Sequence, residues 1–218
     1  MDEDTKKNFL QQHVDNYRRA MLDIIQNNTK VLMDDIISYF SKPPLDSMDV
    51  IRNKFLDLAK KNHVVFNTEE MGVMLDCYRK EVIQCCDMIS NMRVQNLSKK
   101  VNDLTFQEDT IFVFYKKDFT DLNKEIRKVL KEQLSYSFES VILKEIETIF
   151  PENMEEGLQK KIVQEISKYI KGNYQKQVLD SFDIKILVKD TILMNGIKEQ
   201  GDRYLFTLKN SRLLNDFD

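Results

Sequence analysis

The sequence predicts a mainly α-helical protein: an N-terminal antiparallel helical bundle, followed by a smaller α+β domain that ends in a β-hairpin. Apolar residues recur at steps of three and four over most of the 218 residues, which is the periodicity of amphipathic helices. Only 5 glycines and 3 prolines interrupt this pattern. Near the C-terminus the apolar spacing falls to two, as in strands. We expect the bundle at residues 1–104 and the α+β domain at residues 105–218.

The first part of the bundle is predicted as two helices. The first helix carries one apolar stripe, formed by Leu10, Val14, Tyr17, Met21 and Ile24. Asn27-Asn28-Thr29 interrupts this stripe, and a second apolar run then extends to Phe40. Pro43 and Pro44 should end the second helix, because proline lacks the amide donor and restricts the residue before it.

Two more helices complete the predicted bundle. One begins near Asp46–Ser47, and the next is opened by Asn67 and Glu70, whose spacing is that of a capping box. The longest clean stripe follows, with Met71, Leu75, Tyr78, Val82, Cys85, Ile89 and Met92 at alternating steps of four and three. Such heptad spacing suits packing in an antiparallel bundle as well as in a coiled coil, and four helices within about a hundred residues indicate a compact bundle.

The second half begins with a change of pattern. Ile111–Tyr115 is β-branched and aromatic, which indicates a strand or a buried linker. A long helix should then run to Pro151. Asn153 and Glu156 have capping-box spacing and predict the start of another helix, which Gly172 should end.

The C-terminal segment shows strand periodicity. Apolar and polar residues alternate over Ser181–Asp190 and again over Arg203–Leu208, which predicts two or three antiparallel strands. Gly196, Gly201 and Asp202 are the predicted structural turn residues, because glycine permits positive φ in a tight reversal.

Composition excludes several classes of protein. The chain has 33 basic and 36 acidic residues and a net charge of -3, so nucleic-acid binding is not its expected main role. No apolar run reaches the roughly 20 residues of a membrane span. The N-terminus lacks the apolar region of a secretory signal. We therefore expect an intracellular protein of the cytoplasm or mitochondrial matrix, peripheral to a membrane complex and not inserted in the membrane.

Candidate reactive residues do not form a recognisable site. His13 and His63 lie in different segments, and Cys77, Cys85 and Cys86 lie in a third, whereas structural zinc needs about four close ligands. An odd number of cysteines in one stretch favours buried thiols in a reducing compartment. No nucleophile elbow or glycine-rich phosphate loop is present. The sequence predicts no enzyme activity, no cofactor, no metal and no small-molecule substrate.

An alternative function is DNA binding by a C-terminal winged helix in a helical regulatory protein. In this interpretation the helix from Asn153 to Lys171 enters the groove, and the hairpin around Gly201 is the wing. Acidic residues such as Glu156 and Glu165 on that helix oppose phosphate binding, although nucleic acid is not excluded.

The C-terminal segment resembles the closing segment of the F-type ATP synthase δ subunit, called the oligomycin-sensitivity-conferring protein in mitochondria. The residues that carry the resemblance are Asp190-Thr191-Ile192-Leu193-Met194-Asn195-Gly196, Gly201-Asp202 and Arg212-Leu213. Asn195 departs from the pattern, because it stands where the family has a glycine. The resemblance implies a peripheral-stalk (stator) subunit of a rotary ATPase, whose helical bundle binds the catalytic head and whose C-terminal piece binds a stalk helix.

The residues and the resemblance together predict a non-catalytic structural adaptor whose partners are other protein subunits. Helix binding of this kind needs exposed apolar anchors at helical spacing. Four methionines, Met33, Met48, Met74 and Met88, supply such anchors or fill the core.

Overall fold

The computed structural model describes residues 3–41, 47–103, 110–193 and 198–207. Within these ranges the α-helices are α1 (Glu3–Ser41), α2 (Ser47–Lys61), α3 (Thr68–Asn102), α4 (Lys116–Ser137), α5 (Glu156–Tyr169) and α6 (Gln175–Leu193). The strands are β1 (Thr110–Tyr115), β2 (Lys198–Gln200) and β3 (Arg203–Thr207). Phe138–Leu143 and Ile170–Tyr174 are π-helical, and Ile146–Ile149 is a 3₁₀ turn. The protein is mainly helical, as predicted.

The N-terminal helix is continuous where the sequence predicts two helices. α1 passes through Asn27–Thr29 without a break, so the predicted interruption is wrong. The apolar stripe continues across it, since Ile25 and Leu32 are both buried seven residues apart. Asparagine and threonine cost only a few tenths of a kcal/mol each in a helix, which this burial outweighs.

The connection from α2 to α3 is set by local backbone bonds. His63 has φ 54°, and the amides of His63 and Val64 donate to the carbonyls of Lys60 and Ala59. This is a Schellman motif, with histidine in the left-handed position usually taken by glycine. Asn67 then caps α3, because its Oδ1 accepts from the amides of Glu69 and Glu70. Asn67 is therefore confirmed as the N-cap. The reciprocal bond of a capping box is not made, because the Asn67 backbone amide donates to the Ile149 carbonyl at 2.9 Å.

The start and end predicted for the next-to-last helix are both wrong. α5 begins at Glu156 with Glu155 as its N-cap and no side-chain capping bond, so Asn153 does not cap it. Gly172 does not end the helical path, because Ile170–Tyr174 forms a π-helical turn that leads directly into α6. A glycine in a helical path weakens it by about 1 kcal/mol but does not stop it.

The predicted strand over Ser181–Asp190 is also wrong, because this segment lies in α6. Val178, Phe182 and Ile186 are buried at steps of four, which is a helical stripe. The alternation of apolar and polar residues is real, but it coexists with this longer period. Burial of the helical stripe determines the structure.

The strands form a three-stranded antiparallel sheet in the order β1-β3-β2. The strand predicted over Ile111–Tyr115 is confirmed as β1. β3 pairs with β2 across the two residues Gly201 and Asp202, with Gln200 opposite Arg203. Its other edge pairs with β1, which lies far earlier in the chain, and not with the predicted strand over Ser181–Asp190.

Within the described residues, the chain divides into two compact units. Unit 1 takes Met1–Leu32, Ser90–Ile126 and Lys185–Asp218, and unit 2 takes Met33–Ile89 and Arg127–Ile184. The three strands all lie in unit 1. A self-contained C-terminal α+β domain is therefore not supported, while the boundary after residue 104 stays a prediction.

Each unit has its own buried core. In unit 1 the core includes Val14, Met21, Ile25, Leu97, Val101, Leu122 and Ile126. In unit 2 it includes Ile51, Phe55, Leu75, Tyr78, Val82, Leu134, Ile142, Ile166 and Phe182. Phe66 packs against Phe55 and Phe150, with ring centroids 6.1 Å and 5.6 Å away. No helix in the described part of the chain is long and apolar enough to cross a membrane.

Candidate interaction surface

The predicted turn residues have a structural role. Gly201 has φ +60°, and the carbonyl of Asp202 accepts from the amide of Lys116 at 2.9 Å. The Lys116 side chain also pairs with Glu199. These bonds join the β2–β3 turn to the start of α4. Gly196, the third predicted turn residue, lies outside the described residues.

The four methionines divide clearly between core and surface. Met33, Met48 and Met74 are at most 4% exposed, whereas Met88 is 39% exposed. Three of the four predicted anchors therefore fill the core. Met88 alone among them remains accessible to a partner, and it lies on α3.

Met88 belongs to an outward-facing row of residues that we call the α3 stripe. Its members are Val73, Cys77, Lys80, Gln84 and Met88, all exposed and spaced by four, three, four and four residues. The spacing keeps them on one face of the helix, along about 22 Å of its axis. Val73 is 60% exposed and Met88 39%.

The opposite face of α3 explains why the stripe is positioned so firmly. Tyr78, Val82 and Ile89 are at most 1% exposed and lie in the core of unit 2. With that face buried, α3 cannot turn its apolar outward residues away from solvent. Beside the stripe lie the exposed Asp87 and an ion pair between Asp76 and Arg79 at 3.1 Å, while among the five members of the stripe only Lys80 is charged.

A second surface feature lies between α2 and α5. This α2–α5 cleft has a volume of about 470 Å³ and is lined by Lys54, Lys61, Glu165, Lys168, Tyr169, Gly172 and Asn173. The Lys54 ammonium lies over the Tyr169 ring, 5.6 Å from its centroid. Burial, followed by the Asp57 carboxylate, raises the pKa of Tyr169.

The two π-helical segments of unit 2 contact each other. Lys171, in the second segment, pairs with Glu139 of the first at 3.1 Å. Its ammonium also lies 5.7 Å from the centroid of the Phe138 ring. π-Helical turns are rare and are often found at functional sites. Here one of them supplies Gly172 and Asn173 to the α2–α5 cleft.

Polar groups also cluster inside the core of unit 2. Tyr78 and Tyr174 are at most 1% exposed, with ring centroids 5.9 Å apart. Burial raises the pKa of Tyr78, the Gln175 side chain partly opposes this, and Cys85 adds to it. Burial likewise raises the pKa of Cys85, against a lowering hydrogen bond with Ser137. The Tyr78 hydroxyl and the Cys85 thiol are therefore neutral at pH 7, and a neutral thiol is a poor nucleophile.

Both histidines are accounted for by local structure. His63 caps α2, and the His13 ring packs edge-on against Phe9 with centroids 4.2 Å apart. Among the described residues, no group of three or more His, Cys, Asp or Glu side chains could hold a metal ion. Neither the α3 stripe nor the cleft was predicted from the sequence. Val73, Cys77 and Met88 do lie on the face of the helix opposite its apolar stripe, and this spacing could have indicated the α3 stripe.

Comparison with known proteins yields no relative: no family model, no curated protein and no solved structure matches this chain.

Proposed function

We propose that this protein is a non-catalytic structural adaptor that binds another protein subunit through the α3 stripe. The observation that carries the proposal is the exposure of Val73, Cys77 and Met88 on one face of a helix whose other face is locked in a core. Exposed apolar residues at helical spacing are what helix-mediated recognition requires.

The occupant that suits this surface is an amphipathic helix of the partner. A helix face offers no unpaired backbone groups, which excludes recognition by strand addition. The stripe is about 22 Å long, and among its five members only Lys80 is charged. We therefore expect a partner helix with an apolar face and an acidic residue opposite Lys80.

The energetics set the scale of the interaction. Covering the exposed parts of Val73 and Met88 contributes about 1 kcal/mol each, at roughly 25 cal/mol per Å² of apolar surface. Since association itself costs at least several kcal/mol, two anchors do not suffice. The whole stripe must be covered together.

The buried reactive groups are consistent with a non-catalytic role. Tyr78 and Cys85 are protonated at neutral pH, since burial raises pKa values that already lie above 7, and both side chains are buried in the core. An enzyme needs its nucleophile or base within reach of substrate.

The sharper forms of the function remain predictions. A peripheral-stalk role in a rotary ATPase rests on the C-terminal resemblance alone. The winged-helix alternative takes its helix, α5, from unit 2 and its hairpin from unit 1. Helix and wing normally belong to one compact domain, so this division does not favour DNA binding.

The test begins with co-purification of the full chain from its native cell, followed by reconstitution with the recovered subunit. Cys77 is a built-in probe, because it is the exposed cysteine whereas Cys85 and Cys86 are buried. We expect the partner to slow maleimide alkylation of Cys77.

Matched variants identify the surface. Val73→Asp with Met88→Asp should weaken the reconstituted complex at least about tenfold. Val50→Asp with Leu56→Asp should not, although these two residues of α2 are also about 40% exposed. Unchanged binding in the first pair would refute the proposal. So would sedimentation showing that the stripe is covered only by a second copy of this chain.

A further inference from the structure

The α2–α5 cleft differs in charge from a second groove of nearly the same size. The second groove has a volume of about 480 Å³ and is lined by Lys128, Lys131, Glu132, Ser135, Tyr136 and Glu139. Its two lysines are balanced by two glutamates. The α2–α5 cleft has three lysines and one glutamate, and it stays positive even when the neighbouring Asp57 is counted.

The lysines of the α2–α5 cleft come from two helices. Lys54 and Lys61 lie on α2, and Lys168 lies on α5. Lys61 is 3.8 Å from Glu165 and its side chain is 65% exposed, so this ion pair is weak and easily exchanged. Lys54 is held over Tyr169. Lysine is a flexible point charge of the type that commonly binds phosphate.

We propose that the α2–α5 cleft binds a small phosphate-bearing anion, a site independent of the α3 stripe. Lys54, Lys61 and Lys168 are its cationic ligands, and the Asn173 amide is a further donor. Binding draws Lys61 away from Glu165 and toward the anion. No bond is made or broken in the ligand.

The shape of the cleft favours a small molecule. A volume of about 470 Å³ falls within the range of small-ligand sites, roughly 300–1,000 Å³, and is too small for a folded partner. The wall at Gly172 is open, since a Cβ there would meet nothing within 4 Å. An anion can therefore approach the π-helical turn closely.

The cleft also differs from an ordinary charged surface in its aromatic wall. Tyr169 is half-buried between the lysines, and its ring positions the Lys54 ammonium at the side of the cleft. A cation held over a ring loses less conformational entropy on binding than a freely moving lysine. We therefore expect Lys54 to contribute more to anion binding than any other single residue of the cleft.

The test uses inorganic pyrophosphate, titrated into the full chain by calorimetry at low salt. We expect saturable binding of one pyrophosphate and a rise in melting temperature. Lys54→Gln with Lys168→Gln should weaken binding at least about tenfold. Lys128→Gln with Lys131→Gln, which removes the same charge from the second groove, should leave it unchanged.

Three results would overturn the inference. The first is the absence of saturable pyrophosphate binding. The second is an equal weakening of binding by both pairs of lysine substitutions, because it would show that pyrophosphate responds only to the net charge of the protein. Tight binding of duplex DNA without pyrophosphate binding would replace the small anion by nucleic acid. Circular dichroism of each variant checks its folding, and Lys54→Arg should restore binding if Lys54→Gln has failed for lack of charge. The Val73→Asp with Met88→Asp variant should still bind pyrophosphate.

Discussion

Replacement of Cys86 by alanine should make the protein less sensitive to alkali. Cys86 is 3% exposed, and its Sγ lies 3.7 Å from the Val82 carbonyl. Burial raises the pKa of its thiol from 9.0 to about 12, with smaller contributions from Cys85 and Asp87. Below pH 9 the thiol is protonated in both the folded and the unfolded chain, so its contribution to stability is complete. Above pH 9 the unfolded chain loses the proton first, and the free energy of unfolding falls until about pH 12.

The expected size of the effect follows from these two values. At about pH 10.5, linkage gives a loss of about 2 kcal/mol from this one thiol. Urea unfolding followed by circular dichroism, with reductant present, measures the free energy of unfolding at about pH 8 and pH 10.5. Between these two pH values, the free energy of unfolding of wild type should fall by about 2 kcal/mol more than that of Cys86→Ala. Other titrating groups, such as Tyr17 and Tyr78, are common to both proteins and cancel in this difference.

Cys77→Ala is the matched control, since it removes an exposed thiol from the same helix. It should keep the full alkaline loss of wild type. Equal losses in wild type and Cys86→Ala would show that the buried thiol does not control this transition, and would refute the reasoning.

Three further predictions concern the backbone. His63→Gly should raise, and Gly201→Ala should lower, the free energy of unfolding by about 1 kcal/mol each, because both positions have positive φ near 54–60°; thermal melts measure both. Across the two-residue turn, the backbone groups of Arg203 hydrogen-bond to β2, so those of the next residue, Tyr204, face β1. Backbone groups alternate in direction along a strand. The Phe112 amide should therefore face β3, and the Val113 amide should face the open edge of β1. Val113→Pro should therefore be tolerated, whereas Phe112→Pro should cost at least about 1 kcal/mol. A fragment of residues 1–109 should be helical by circular dichroism but unfold without cooperativity, because it lacks parts of both units; a sharp transition would instead support the predicted boundary after residue 104.

Helical periodicity predicted most of the fold because burial follows it closely. The stripe from Met71 to Ile89 lies in the core of unit 2, with Leu75, Tyr78 and Val82 at most 1% exposed. Periodicity failed where two periods coexist, as in Ser181–Asp190, since a short window cannot show which one tertiary packing will bury.

Other features could not be read from local sequence. Arg93 is only 1% exposed. Sequence periodicity would have placed its apolar neighbours Met92 and Val94 in the core, and not the arginine. The charge balance of the α2–α5 cleft depends on α2 and α5 coming together, and Lys61 and Glu165 are about a hundred positions apart in the sequence. Contacts of this kind are set by tertiary packing, which a single sequence does not display.

The interleaved composition of the two units has a consequence during synthesis. In the sheet, Tyr115 pairs with Arg203, 88 positions later, and Phe112 pairs with Phe206, 94 positions later. Ribosomes add roughly 5–20 residues per second. The apolar segment Ile111–Tyr115 therefore emerges about 4–19 s before its strand partner β3 has been synthesised. For that interval β1 has no strand partner, and unpaired strand edges of this kind are prone to aggregate. A stop codon shortly after α6 would make this state permanent.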